Sequence, residues 1–139
     1  MSSPNLDKLV AARQLKAEKP DRKEFEGLMR IGRARLQDAV RAELSYESRF
    51  DLAYNAAHAL SLAALRRLGY RSENRYLVFQ CLPHTAGLDP KHWRVLALAH
   101  ERRNAAEYSG ILETDDRLLA DMLHIAGLLL SKLASVAPP

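Results

Sequence analysis

The longest amphipathic pattern in the chain constrains its fold more than any other feature. It runs through YESRFDLAYNAAHALSLAALRRLGY, residues 46–70. Apolar residues recur there every three or four positions, which is the period of a helix with one buried face. These apolar positions are Phe50, Ala53, Tyr54, Ala57, Leu60, Ala64 and Leu68. Ser45 is placed to cap the helix, and Gly69 follows the basic Arg66 and Arg67, as expected where a helix ends.

Five further segments predict helices, and no sustained alternation of apolar and polar residues predicts a strand. The predicted helices are residues 5–15, 21–40, 74–82, 89–110 and 114–135. Residues that can cap a helix N-terminus stand where these segments begin. The predicted caps are Ser3 or Asn5, Asp21, Asp89 and Thr114. Pro20 and Pro83 interrupt the chain between segments, so the predicted fold class is an all-α, antiparallel helical bundle with short connections.

Two details of these segments concern packing. Gly32 interrupts the apolar stripe of the second segment, which predicts either close packing or a kink there. The last segment has an apolar stripe at helical spacing, which predicts a buried face. That stripe consists of Leu118, Met122, Ile125, Leu129 and Leu133.

Length and composition limit the chain to one domain. Its 139 residues, 47% apolar and 27% charged, are typical of a single globular unit. We expect one helical domain over residues 1–139, with a core at about 21–135, an N-terminal helix or arm at 1–20 and a frayed tail at 136–139. The single cysteine, Cys81, cannot form an internal disulfide, and its apolar neighbours predict a buried, inert thiol.

Charge and hydropathy restrict the partners. No run reaches the roughly 18 consecutive apolar residues that a membrane span needs, and the N-terminus lacks the layout of a signal peptide. We therefore expect a cytoplasmic protein with no membrane contact. The 21 basic and 17 acidic residues give a net charge of +4, which permits contact with a polyanion such as RNA.

The stretch LAHERRNAAEYSG, residues 98–110, concentrates polar side chains on one predicted helix. His100, Arg103, Asn104 and Glu107 are three or four positions apart and share a face, with Tyr108 one step round. An arginine there could bind phosphate and a histidine could transfer protons, while Asn104 and Tyr108 position groups. The candidate catalytic residues are therefore His100, Arg103, Asn104 and Tyr108, and Arg102 and Glu107 are candidate binding residues. The alternative is a solvated helix end whose basic residues complement the helix dipole.

A second polar line follows one face of the long central helix. Glu47, Asp51, Asn55 and His58 are separated by steps of four, four and three residues. Asp51, Asn55 and His58 are candidate binding residues, and the alternative is a set of structural polar groups. The other histidines are scattered, and no paired cysteines or H-x-x-x-H spacing occur. We therefore expect neither a metal site nor a cofactor.

Two stretches together, YESRFDLAYNAAHALSLAALRRLGYR and RRNAAEYSG, resemble the HEPN domain family over residues 43–133. The resemblance implies a four- to five-helix bundle that dimerises. Many proteins of this family are metal-independent endoribonucleases of toxin–antitoxin or defence systems, and others accompany a minimal nucleotidyltransferase. The family's ribonuclease signature is an Arg, a following polar residue and a His some four to six residues later. Arg103 and Asn104 match its first two positions.

The third position departs from that signature, since Tyr108, Ser109 and Gly110 stand where the histidine is expected. His100 or His58 could replace it if the fold brings either near Arg103. The resemblance thus implies a HEPN-like homodimer with an RNA-related role, as a toxin–antitoxin or defence component, with ribonuclease activity left open. The resemblance implies that Asp51 and Asn55 face the arginine. The alternatives are a non-catalytic partner of a nucleotidyltransferase and a purely structural dimer.

Overall fold

Helices dominate residues 3–139, which are the residues that the computed structural model describes. In chain order the elements are α1 (Pro4–Ala11), β1 (Lys16–Ala17), α2 (Arg22–Ala39), α3 (Tyr46–Arg67), β2 (Tyr70–Arg71), α4 (Arg75–Gln80), α5 (Leu82–Thr85), α6 (Pro90–Ser109) and α7 (Asp116–Ala134). The two short strands pair in antiparallel fashion, with Lys16 opposite Arg71. The all-α prediction is confirmed at this level, with this one small sheet as an addition. No helix of the described residues is long and apolar enough to cross a membrane.

Helix α3 lies at the centre of the fold and contacts α2, α4, α5, α6 and α7. The predicted apolar stripe is buried along most of its length, but Leu68 is only half-buried. Ala56, Ala59 and Ala63, outside that stripe, are buried as well. Burial therefore extends around most of the helix, because neighbours surround α3 and its small alanines let them approach closely.

Gly32 of α2 packs closely against a neighbouring helix, and the predicted apolar stripe of α7 is buried. A Cβ added at Gly32 would lie 2.6 Å from Leu60 Cγ, so close packing against α3 is the reason for the glycine. The predicted stripe of α7, Leu118 to Leu133, is buried at all five of its positions. These two helices therefore flank α3 and enclose the main apolar core.

Three predicted helix boundaries are wrong. Asp115, not Thr114, caps α7, and its Oδ1 accepts a hydrogen bond of 2.9 Å from the backbone N–H of Leu118. The first helix ends at Ala11, and the chain then turns into β1. The fourth segment divides at Cys81 into α4 and α5, and Pro83 lies within the first turn of α5, where a proline needs no N–H partner.

The side chain of Arg66 fastens the N-terminal arm to the core. Although Arg66 is one of the two basic residues in the last turn of α3, its side chain is only 1% exposed. Its guanidinium donates to Glu24 and to the backbone carbonyls of Glu18, Lys19 and Tyr70. It also pairs with the carboxylate of Glu18 at 3.4 Å, and Arg71 forms ion pairs with the carboxylates of both Glu18 and Glu24. We call Arg66, Arg71, Glu18 and Glu24 the Arg66 cluster.

Candidate functional site

A buried tyrosine lies at the centre of the polar site. Tyr54 of α3 is fully buried, and its Oη lies 2.7 Å from Nδ1 of His100 on α6. Two guanidinium groups approach its ring: Cζ of Arg103 is 5.0 Å and Cζ of Arg75 is 5.6 Å from the ring centroid. We call Tyr54, Arg75, His100, Arg103 and Asn104 the Tyr54 cluster. The sequence placed Tyr54 in the apolar stripe and did not single out Arg75.

The imidazole of His100 is held on both sides. Nδ2 of Asn104, one helical turn further along α6, lies 3.1 Å from its Nε2. With the amide in this orientation Nε2 accepts, so Nδ1 carries the proton and donates to Tyr54 Oη. Edge-on contact with Tyr76 at 6.3 Å limits the ring further. The predicted pair of His100 and Asn104 therefore lies together, with a fixed imidazole.

Arg75, the first residue of α4, links the two predicted polar lines. Its Nη1 donates a hydrogen bond of 3.2 Å to Oδ1 of Asn55, whose Nδ2 donates to the backbone carbonyl of Asp51 at 2.8 Å. Asn55 thus reaches the site through Arg75. No periodic pattern marks Arg75, because its position depends on how the short helix α4 docks on α3 and α6.

An acidic cavity adjoins Arg103 between α3 and α6. Its volume is about 330 Å³, and the carboxylates of Glu47, Asp51 and Glu107 line it together with Arg103 and Asn55. Arg103 Nη2 pairs with Glu107 Oε1 at 3.2 Å, with the two side chains 28% and 60% exposed. The cavity itself therefore suits a cationic or neutral group rather than a phosphate.

Both imidazoles of the site are kept neutral at neutral pH. Burial, together with the charges of Arg75, Arg103 and His100, lowers the pKa of His58 to about 4. Burial also lowers the pKa of His100, again helped by Arg103 and Arg75. The charge of Arg103 thus acts on both histidines, so both lie near it. This nearness is what either would need to take the place of the histidine that is missing after Arg103. His58 itself packs edge-on against Phe79, at a centroid distance of 6.0 Å.

Two predicted site residues lie apart from this group. Tyr108 is 94% exposed, so its side chain extends into solvent. Arg102 donates a hydrogen bond of 2.8 Å to Oδ2 of Asp115 and so connects α6 to the start of α7. It also lines a separate cavity of about 400 Å³ with Leu98 and Ile111.

Comparison with known proteins gives no further guide to the site. Searches of protein-family models, curated proteins and solved structures find no match to this chain. Among residues 3–139, no three His, Cys, Asp or Glu side chains are grouped so that they could hold a metal ion. The chemistry of the Tyr54 cluster is therefore the main indication of function.

Proposed function

We propose that this chain is a cytoplasmic, HEPN-like protein with an RNA-related role, in which the Tyr54 cluster binds a phosphate of RNA between Arg75 and Arg103. One observation carries the proposal: guanidinium groups from two separate helices converge on one buried tyrosine. The fork of N–H donors on arginine matches phosphate oxygens. Arg75 donates to a neutral amide, Asn55, and Arg103 pairs with a largely exposed carboxylate, Glu107. Most of their donors can therefore serve a ligand.

Aromatic side chains beside the guanidinium pair favour single-stranded RNA. Tyr76 is 36% exposed and contacts the edge of Trp93 at 6.0 Å. Arg94 lies over the Trp93 ring at 5.7 Å. Proteins bind unpaired RNA by stacking bases on aromatic rings and holding the phosphates with basic side chains. Tyr76 is placed to receive a base next to the phosphate at Arg75.

We propose that the Tyr54 cluster binds RNA and does not cleave it efficiently. Arg103 and Asn104 fit the first two positions of the HEPN signature, and Tyr108 replaces the histidine. Both nitrogens of the available imidazole, His100, are already hydrogen-bonded within the protein. General acid–base catalysis needs a nitrogen that reaches the reacting proton. We therefore propose a toxin–antitoxin or defence component that binds RNA through this site.

The test is fluorescence anisotropy with a labelled single-stranded RNA. Arg103→Ala and Arg75→Ala should each weaken binding by about tenfold or more, because each removes charge-assisted hydrogen bonds of roughly 1.5–3 kcal/mol. The control is Arg35→Ala, which removes an equal charge from an exposed position on α2. Equal affinity of all three variants and the wild type, or no binding at all, would contradict the proposal. Cleavage of the same RNA that His100→Ala abolishes would overturn its non-catalytic part.

A second function, as a module that pairs with another chain, is favoured by the end of α6. Tyr108 and Ile111 are 94% and 66% exposed there, and Leu98, further back on α6 and lining the same cavity as Ile111, is 41% exposed. Exposed apolar groups of this size often mark protein interfaces. We propose that a second copy of this chain covers them. Ile111→Asp should then shift the sedimentation coefficient to that of a monomer, whereas Val40→Asp, at another exposed apolar residue, should not. A monomeric wild type would contradict this.

A further inference from the structure

A groove runs from the Tyr54 cluster along the N-terminal arm. Two cavities form it: one of about 240 Å³, beside β1 and β2, and one of about 460 Å³, beside α4. Arg13 and Gln14 line both cavities, so the two adjoin. Tyr76 lines the second cavity and contacts His100, which connects the groove to the Tyr54 cluster. We call the two cavities together the arm groove.

Basic side chains predominate in the arm groove. The first cavity is lined by Arg13, Lys16 and Arg71 and by one carboxylate, Glu73. Arg71 already pairs with the carboxylates of the Arg66 cluster. Within residues 3–139, neither Arg13 nor Lys16 forms an ion pair with a carboxylate, and both side chains are exposed. Two cations are therefore free to bind an anionic ligand, in contrast to the acidic cavity that Arg103 lines.

The second cavity offers hydrogen bonds instead of charge. The side chains of Gln14, Asn74 and Gln80 line it beside Tyr76, and no carboxylate does. Amide side chains both donate and accept, as the edges of unpaired bases and the ribose hydroxyl require. This cavity therefore suits the nucleoside part of a chain whose phosphates lie against the flanking basic residues.

The backbone holds Arg13 in a costly conformation. Its φ is 61°, in the left-handed region that disfavours residues with a side chain. Hydrogen bonds fix this turn, since the N–H groups of Gln14 and Leu15 both donate to the carbonyl of Leu9. A glycine would adopt the same turn more easily. An arginine at such a position is explained if its guanidinium has a role in the groove.

We propose that single-stranded RNA bound at the Tyr54 cluster continues past Tyr76 into the arm groove, where Arg13 and Lys16 bind the phosphates of further nucleotides. The inference rests on the proposed function and extends it to the path of the strand. Two added phosphate contacts on a single strand increase the slope of log K against log salt by about 1.4. Short RNA that fills only the Tyr54 cluster is expected to lack this contribution.

The experiment compares a trinucleotide with an RNA of about twelve nucleotides, within the site sizes that single-strand binders use. The double variant Arg13→Glu/Lys16→Glu should bind the longer RNA at least about tenfold more weakly than wild type, with a salt slope lower by about 1.4. It should bind the trinucleotide as wild type does. The matched control is Arg33→Glu/Arg35→Glu, which makes the same charge change at two exposed residues of α2.

A second variant separates binding from folding. Arg13→Gly removes the guanidinium but suits the left-handed backbone, so the melting temperature should not fall while affinity for the longer RNA does. Equal loss in the α2 control, or equal wild-type affinity for both RNAs, would overturn the arm groove as the binding path. If Arg103→Ala binds both RNAs as tightly as wild type, the proposed function itself fails. If only Arg103→Ala weakens binding, the Tyr54 cluster stands and the arm groove is excluded.

Discussion

Two arginines of this fold, Arg66 and Arg103, differ in how completely the protein satisfies them. Arg66 is 1% exposed, and its guanidinium donates to a carboxylate and to three backbone carbonyls. Arg103 is 28% exposed and, within residues 3–139, pairs only with Glu107, one turn away, while its guanidinium lies against Tyr54. Where a protein supplies all the acceptors, an arginine is structural. Where it supplies few of them, the remaining donors are available to a ligand.

The largest expected effect concerns Arg66. Arg66→Met should reduce the free energy of unfolding by about 3–5 kcal/mol, because it removes one of the two arginines paired with Glu24 and the donor to three backbone carbonyls. Urea denaturation monitored by circular dichroism measures this. The control is Arg67→Met, since Arg67 donates to the backbone of the C-terminal tail at an exposed position. If Arg66→Met and Arg67→Met are equally stable, Arg66 is not a structural arginine.

As the pH falls, His58, beside the Tyr54 cluster, should be affected before Glu24 of the Arg66 cluster. Because the folded-state pKa of His58 is about 4, below its ordinary 6.5, the unfolded chain takes up this proton first as the pH falls. The contribution of the neutral His58 to the free energy of unfolding is complete above pH 6.5 and is lost towards pH 4. The free energy of unfolding should change by about 3 kcal/mol over this range. Burial tends to raise the pKa of Glu24, but bonds from Arg66 and Arg71 outweigh it and lower the value below 4.5. The pairing of Glu24 with Arg66 and Arg71 should therefore weaken only at a lower pH than it would for an ordinary carboxyl group.

Substitution of His58 isolates that effect. His58→Gln should flatten the dependence of unfolding free energy on pH between 6.5 and 4, measured by urea denaturation at each pH. The exposed His84, changed to Gln, provides the control. An unaltered pH profile in His58→Gln would show that His58 does not stay neutral beside the arginines.

A smaller effect is expected from the hydroxyl of Tyr54. Tyr54→Phe removes the hydrogen bond to His100 Nδ1 and should reduce the unfolding free energy by about 1 kcal/mol. RNA affinity should fall as well, because the imidazole and the guanidinium groups lose a fixed support. Tyr46→Phe removes a comparable hydroxyl, bonded to the carbonyl of Asp115, and should leave RNA affinity unchanged. Equal RNA affinity of wild type and Tyr54→Phe would exclude Tyr54 as a positioning residue.

The smallest change in stability is expected at Arg103. Arg103→Met should cost less than about 1 kcal/mol, since its ion pair with Glu107 is solvated and the methionine retains contact with Tyr54. Thermal unfolding compared with Arg66→Met measures the contrast. A loss as large as that of Arg66→Met would place Arg103 among the structural arginines.

The helical fold was predictable because its strongest signals are local. Ser45 and the apolar period of α3 predicted a helix that the structure has from Tyr46 to Arg67. Local signals define the ends of helices less precisely. At the start of α7, Thr114 and Asp115 are both suitable caps, and only Asp115 is used. The burial of Arg66 was not predictable, because Glu18 of the arm and Glu24 of α2 lie more than forty residues earlier in the chain.

The candidate site was predictable on one helix and not between helices. His100, Arg103 and Asn104 share a face by their spacing, and the structure places them together. Tyr108 follows Arg103 by five residues, which turns it about 140° away, so helical geometry already argued against it. Arg75 reaches Tyr54 only through the docking of α4, which no sequence period encodes.

The most direct test of the account is the pKa of His58 and of His100, measured by imidazole NMR with and without a bound trinucleotide RNA. Both pKa values are lowered in the free protein, in part by the charges of Arg75 and Arg103. A phosphate bound between these arginines adds negative charge and so favours the protonated imidazole. The account predicts that both pKa values rise when RNA binds. Saturating RNA that leaves both pKa values unchanged would contradict it.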